Sequence, residues 1–250
     1  MNKEKYFKKY SEEHIHFYDL EIPDLLRKAI KSKNSRDFSL VDLGCGDGRL
    51  LFSLQERELL SNAEKIVGVD LSHERIENLK ENVKNTIGII SDTCNVKDLK
   101  NETFDVVISS QVIEHVSDDN ELLKEIGRLL KSDGIAYIST VVKKWYGFYI
   151  YRNNGRVILD PTHVREYSSK EEFLDLLERN GLKTLEYKVN RIKYPLLDLI
   201  IRIFIKTGLI KPSDARNAYM GSKQMSLIRK LTKPIIGYYN IEVLCEGARG

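Results

Sequence analysis

Short apolar runs alternate with segments whose apolar residues recur at helical spacing, and this rhythm holds over most of the chain. Phe38–Leu43, Lys65–Asp70, Ile87–Ser91, Phe104–Ser109 and Gly134–Thr140 read as buried strands. Helices are expected at Arg49–Leu60, His73–Asn85, Asn120–Leu130 and Ser169–Asn180, the last closed by Gly181. Residues 3–33 read as one or two helices, with Pro23 near the first position of the second. Continuous apolar strands separated by amphipathic helices predict an α/β fold, a parallel doubly wound sheet covered on both faces.

The C-terminal third breaks the rhythm. Leu182–Asn190 reads as a sixth strand and Ile241–Glu246 as a seventh, with a long apolar helix at Pro195–Ile210 and a polar loop between them. In that helix Asp198, Arg202 and Lys206 fall four apart, one narrow polar stripe on an otherwise apolar surface. Such a helix must bury itself as a lid, in a second subunit or in a membrane interface. The expected organisation is one domain over 1–250, with a helical cap at 1–35 and a basic apolar insert at 193–238.

Composition agrees with a soluble globular protein: 42% of the 250 residues are hydrophobic and 31% charged. The net charge of +3 hides an uneven spread. From Arg191 to Pro234 there are ten Lys/Arg against two Asp/Glu, whereas residues 1–190 hold 29 against 33. That basic segment suggests peripheral membrane contact through 193–210. Tyr219, Tyr238 and Tyr239 form no stacking motif, so nucleic acid is not the expected partner. Cys45, Cys94 and Cys245 are odd in number and lack metal-ligand spacing, which points to a reducing cytoplasm. No run reaches the ~18 apolar residues of a spanning helix, and the N-terminus lacks a signal-like apolar core.

The candidate chemistry begins after the first strand. Gly44, Gly46 and Gly48 make a turn that brings backbone close to a ligand and aims the next helix's amides at an anion. A dinucleotide fingerprint would need Gly or Ala at position 49, where this chain has Arg49. Asp70, ending the second strand, offers two acceptors for the vicinal hydroxyls of a ribose; a role at the helix N-terminus beside Ser72 is the plainer alternative. In Ser91-Asp92-Thr93 the acid could accept an adenine N–H or merely form a turn.

VDLGCGDGRL (41–50), VGVDLS (67–72), SD (91–92), FDVVISSQVIEHV (104–116) and LLKEIGRLLKSDGIAYIST (122–140) together resemble the class I S-adenosylmethionine (SAM) methyltransferases, especially the ubiquinone-pathway branch. The resemblance runs from about residue 38 to 181. It implies a Rossmann-like seven-stranded sheet with an antiparallel seventh strand, and SAM as cofactor. It also implies that Gly44 and Gly46 line the methionine end and Asp70 the ribose. Asp92 would bind the adenine, and Ser110 and Gln111 would flank the methionine and sulfonium. Asp42, Cys45, Leu71 and Thr93 complete the implied cofactor contacts. One departure is Ser132-Asp133-Gly134, where the family often has Pro-Gly-Gly.

For the methyl acceptor, two clusters leave the sheet on the same side: Glu114-His115 after the fourth strand and Pro161–Tyr167 after the fifth. His163, His115 and Glu114 are the catalytic candidates. One reading makes His163 or His115 a general base; another makes Glu114-His115 a structural cap. A third has a divalent metal on carboxylate and imidazole, by resemblance to enzymes with a Glu-x-x-Glu-His arrangement; here Gln111 replaces the first Glu, so no metal site is assigned. Arg165 would pair either with an acidic substrate group or with a surface carboxylate. Tyr6, Tyr10, His14, His16 and Tyr18 would cover SAM or simply pack. The function expected is methyl transfer from SAM to oxygen or nitrogen of a small or lipid-linked metabolite. An RNA 2′-O-methyltransferase and a non-enzymatic SAM-binding module are the alternatives.

Overall fold

The computed structural model describes residues 21–33, 37–149, 151–153, 155–160, 162–195, 204, 207–209 and 232–247. Its elements are α1 (Asp24–Lys33), β1 (Phe38–Leu43), α2 (Arg49–Glu56), β2 (Ala63–Asp70), α3 (His73–Asn82), β3 (Thr86–Ile90), β4 (Phe104–Ser110), α4 (Asp119–Leu129), β5 (Leu130–Lys143), β6 (Tyr151–Asn153), β7 (Arg156–Ile158), α5 (Lys170–Arg179), β8 (Leu182–Pro195) and β9 (Thr232–Gly247). Seven of the strands form one sheet in the order β3-β2-β1-β4-β5-β9-β8. β1 to β5 pair in parallel, and β9 enters antiparallel between β5 and β8. This is the Rossmann-like α/β sheet with its antiparallel strand, as expected.

The period of two along a strand sorts side chains to opposite faces, and here both faces are dry. Leu40, Val106, Ile108 and Tyr137 pack under α1, α2 and α3 through Leu26, Ile30, Leu51, Leu54, Ile76 and Leu79. Val41, Val69, Val107 and Ile138 pack on the other face against Leu122, Ile126 and Phe173 of α4 and α5. Every residue of β1 is buried. That is why the inner strands read as unbroken apolar runs.

Between β3 and β4, where the sequence reading placed no helix, two turns sink Val96 and Leu99 into the core. Two departures from the sequence reading have local causes. The β6–β7 hairpin escaped because its strands are only three residues each, although Asn154-Gly155 is a hairpin-turn sequence. The β8–β9 ladder runs on to Pro195↔Thr232, so 193–195 and 232–238 belong to the sheet rather than to the insert, and Pro195 ends a strand. The rest of the Pro195–Ile210 helix and of the membrane segment 193–210 lies largely outside the described residues. So does the N-terminal stretch with Tyr6, Tyr10, His14, His16 and Tyr18, which the 1–35 cap depends on. Among the described residues no helix is long and apolar enough to cross a membrane.

Candidate active site

The carboxyl ends of the parallel strands meet along one edge of the sheet, where open α/β folds bind ligands. At the end of β1 the chain turns toward β2, Gly44 and Cys45 N–H both donating to Val69 O at 2.7 and 3.0 Å. Gly44 has φ +77°, and a Cβ there would lie 2.4 Å from Val112 Cγ2, so only glycine fits. Gly46, at φ +55°, is different: no described atom lies within 4 Å of its would-be Cβ. Its open side is free for a ligand.

α2 starts from this turn without a conventional cap. Ser72, Asp118 and Ser169 cap α3, α4 and α5 by accepting first-turn N–H groups. The residue before α2 is Gly48 in the left-handed region, with no side-chain cap and no acid in the first turn. The partial positive charge at that end is therefore offered to an anion such as a carboxylate.

Asp70 stands beside it. Its Oδ2 accepts from Gly46 N at 3.0 Å, its Oδ1 from Ser72 N at 2.9 Å, and Arg75 lies 3.8 Å away. A carboxylate has about four lone-pair positions, so two remain for a vicinal diol. Ser72, not Asp70, is the residue that caps α3. Asp42, buried beneath the turn, has its carboxyl pushed up to about 7, first by burial and then by the charge of Asp70. Burial likewise raises the Cys45 thiol. Leu71 is 59% exposed on the rim, and Thr93 is buried. Asp92 accepts from Cys94 N at 2.9 Å, making the turn considered above. Ser110 Oγ lies 3.1 Å from Ser139 Oγ, and Gln111, at φ +56°, follows it.

The second constellation lies one strand along. Val164 N donates to Glu114 O, and Lys143 N to Tyr167 O, so the 162–167 loop is stitched to the ends of both β4 and β5. Ligand atoms of Glu114, His115 and His163 lie within 4.8 Å of one another. Thr162 Oγ1 donates to Asp160 Oδ1 at 2.5 Å, so the 2.9 Å contact with His115 Nδ1 has the imidazole donating. His163 Nδ1 donates to Glu166 Oε1 at 2.8 Å, and both side chains are only 4% exposed. Nε2 is then the nitrogen of each ring left for a proton or a ligand. Burial and the neighbouring His163 pull His115 down to about 4, so it is neutral near pH 7.

Glu114 is fully buried, its Oε2 accepting from Thr140 Oγ1 at 2.9 Å, and burial pushes its carboxyl up to about 7. One end of the Gln111 amide lies 3.2 Å from Glu114 Oε1 and the other 2.9 Å from Asn240 Oδ1. A protonated Glu114 donating to the Gln111 carbonyl, whose amide N–H then donates to Asn240, satisfies all three. A carboxyl raised on folding lends stability below its unfolded pKa and loses it as pH climbs through the folded value. Glu114→Gln therefore gains on the wild type between pH 5 and 8, by on the order of 2–3 kcal/mol. Thermal melts across that range check it, and parallel curves would refute a buried protonated Glu114. Asp42 adds a similar slope to both proteins.

Sequence reasoning missed Glu166 and Asn240. A His-x-x-Glu spacing was the visible signal for Glu166; Asn240, brought in by β9, had none. Arg165 proves to be a staple. Its guanidinium donates to the carbonyls of Ile113, Val116 and Ser117 and lies 3.4 Å from Asp119, which holds the loop after β4.

The uncapped α2, the open side of Gly46 and the remaining lone pairs of Asp70 fit the carboxylate and ribose of SAM. With this sheet, they define a class I SAM-dependent methyltransferase. The chain belongs to the methyltransferase domain family, whose model matches residues 34–181. It is 28% identical over 173 residues to a ubiquinone biosynthesis O-methyltransferase of Pelagibacter ubique, covering 66% of this chain and 69% of that protein. It is 27% identical over 174 residues to a ubiquinone/menaquinone biosynthesis C-methyltransferase of Campylobacter jejuni, covering 61% and 74%. Among solved structures, Haemonchus contortus phosphoethanolamine N-methyltransferase 2 with bound SAM superposes with a TM-score of 0.58 at 18% identity, over 96% of this chain and 56% of that one. That likeness is one of fold.

Proposed function

We propose that the protein transfers the methyl group of SAM to an oxygen or nitrogen of a small or lipid-linked metabolite, with His163 as general base. The observation that carries this reading is the buried His163–Glu166 pair beside Glu114 and His115, one strand from the Ser110–Gln111 end of β4. Bound SAM supplies an activated methyl whose sulfonium leaves without protonation. What remains for the chain is to align the acceptor and to take its proton, which oxygen and nitrogen acceptors must lose. Glu166 holds the His163 ring and fixes its tautomer. Asp70 binds the ribose, the Gly44–Gly46 backbone and α2 the carboxylate, Asp92 and Thr93 the adenine. Leu71 covers the nucleoside, Asp42 supports the turn from below, and Ser110 and Gln111 flank the sulfonium.

A second reading places a divalent cation between Glu114, His115 and His163, favoured by their closeness and by the anchoring of each Nδ1 to an outer oxygen. One experiment addresses both. Labelled SAM is incubated with small-molecule, lipid and RNA fractions, with and without EDTA. Label in the small-molecule or lipid fraction is expected; label confined to RNA, or absent, overturns the proposal. Loss of transfer in EDTA, restored by added cation, selects the metal over the base.

Peripheral membrane contact, as an expectation for a lipid-linked acceptor, finds support in the rim beyond β5. Trp145 (94% exposed), Phe148 and Ile236 lie there with Arg191, Lys193 and Lys233 exposed nearby. Sedimentation with anionic but not neutral vesicles is expected, and equal recovery from both would rule this contact out.

A further inference from the structure

From Ser139 on β5 across β9 to Asn190 on β8, along the edge where the parallel strands end, runs a polar stripe that meets Ser110 and Gln111 at one side and that neither they nor the histidine cluster fully account for. Ser139 on β5 is paired with Glu242 on β9, and Asn240 on β9 with Asn190 on β8. Ser139 in turn meets Ser110, and Asn240 meets Gln111. Asn190, Asn240 and Glu242 all lie outside residues 34–181, the segment matched by the family model.

Glu242 is the buried floor of this stripe, at 6% exposure, while Asn190 and Asn240 are half-buried and Gln111 is exposed. The amide nitrogens of Asn190 and Asn240 donate to Glu242 Oε1 at 3.4 and 3.2 Å. Oε2 is buried and has no hydrogen-bond partner among the described residues. Lys188, the β8 register partner of Glu242, is already paired with Asp24 at 2.8 Å, and no cation pairs with Glu242 among the described residues. A buried carboxylate with one oxygen unpaired is costly to fold, and stabilising a protein at such a site commonly costs it function. Each amide gives an N–H to Glu242 Oε1, and Asn240 Oδ1 already accepts from Gln111. The acceptors this leaves for an incoming donor are Glu242 Oε2 and the Asn190 carbonyl oxygen.

We propose that Glu242, with Asn190 and Asn240, is a subsite that recognises a hydrogen-bond donor on the methyl acceptor, an ammonium or hydroxyl group set apart from the atom that is methylated. The proposal rests on the acceptor reading of this same edge. It places the specificity of the enzyme on β9 and β8, away from the proton-transfer groups.

Two readouts on Glu242→Gln test it. Gln keeps the oxygen that Asn190 and Asn240 bind but removes the charge, so the melting temperature at pH 8 should rise by about 2–4 °C. Transfer of label from SAM into the responsive fraction should fall at least 10-fold in kcat/KM, mostly through KM, with the affinity for SAM unchanged. Glu242→Asp should restore part of it. A lower melting temperature, or transfer kinetics equal to wild type, overturns the subsite. The melt needs no acceptor. If wild type labels no fraction, the function proposed above fails while the melt still decides whether Glu242 is held in reserve or is structural. Amine-bearing and hydroxyl-bearing products, separated by mass, distinguish the two kinds of donor.

Discussion

Asp70→Ala removes detectable SAM binding in calorimetry. The carboxylate would make two charge-assisted hydrogen bonds to the ribose, each worth about 1.5–3 kcal/mol, so their loss weakens binding by about 10²–10⁴-fold. The same substitution also deprives Gly46 N and Ser72 N of their acceptor and loosens the turn that presents the methionine end. Asp70→Asn keeps one oxygen and should fall between Ala and wild type. Removing the negative charge beside Asp42 lets that buried carboxyl ionise more readily. The Ala variant thus loses ligand affinity without an equivalent loss of fold. Unchanged affinity for SAM would end the cofactor assignment at this residue.

His163→Ala is expected to lower kcat by about 10²–10⁴-fold, the usual range for a positioned acid–base group, and to leave SAM affinity within a factor of about three. Glu166→Gln tests the same unit from outside. With an amide in place of the carboxylate, His163 keeps a neighbour but loses the charge that supports its protonated form. Its kcat should drop less than that of the Ala variant, and the acidic limb of its pH profile should move to lower pH, because without the neighbouring charge the ring gives up its proton more readily. A structural role alone predicts a lower melting temperature for both variants with no change in the profile. His115→Ala is the contrast. His115 is already held neutral, so as a bystander its loss costs little, and as a metal ligand it costs nearly as much as His163.

Much of this architecture is legible in the sequence because parallel strands buried on both faces carry their own signature. Phe38–Leu43 and Phe104–Ser109 are apolar runs in the sequence and buried strands in the fold, each recognisable without its neighbours. The cofactor turn is equally local: Gly44, Gly46 and Asp70 sit at strand ends that the pattern already marks. In the sequence β9 reads as a short strand because Pro234 and Gly237 interrupt its first half, and both are tolerated there by a ladder with an irregularity between Arg191 and Lys193. The acceptor side is less legible for the same reason. Glu114, Thr140, His163 and Asn240 come from four segments, and their meeting depends on which strand lies beside which. Position in the chain does not encode that.

The placement of β9 also sets an order of assembly. Among the described residues β8 has β9 as its one strand neighbour in the sheet, and β5 has β9 on its outer side. As the chain leaves the ribosome, β1 to β5 can pair as soon as they emerge, whereas β8 must wait, edge open, for a strand made some forty residues later. The nucleoside end of the cleft can therefore form before the acceptor end, which is completed last. A nascent chain arrested before residue 232 should be able to bind SAM yet expose the β5 and β8 edges to chaperones.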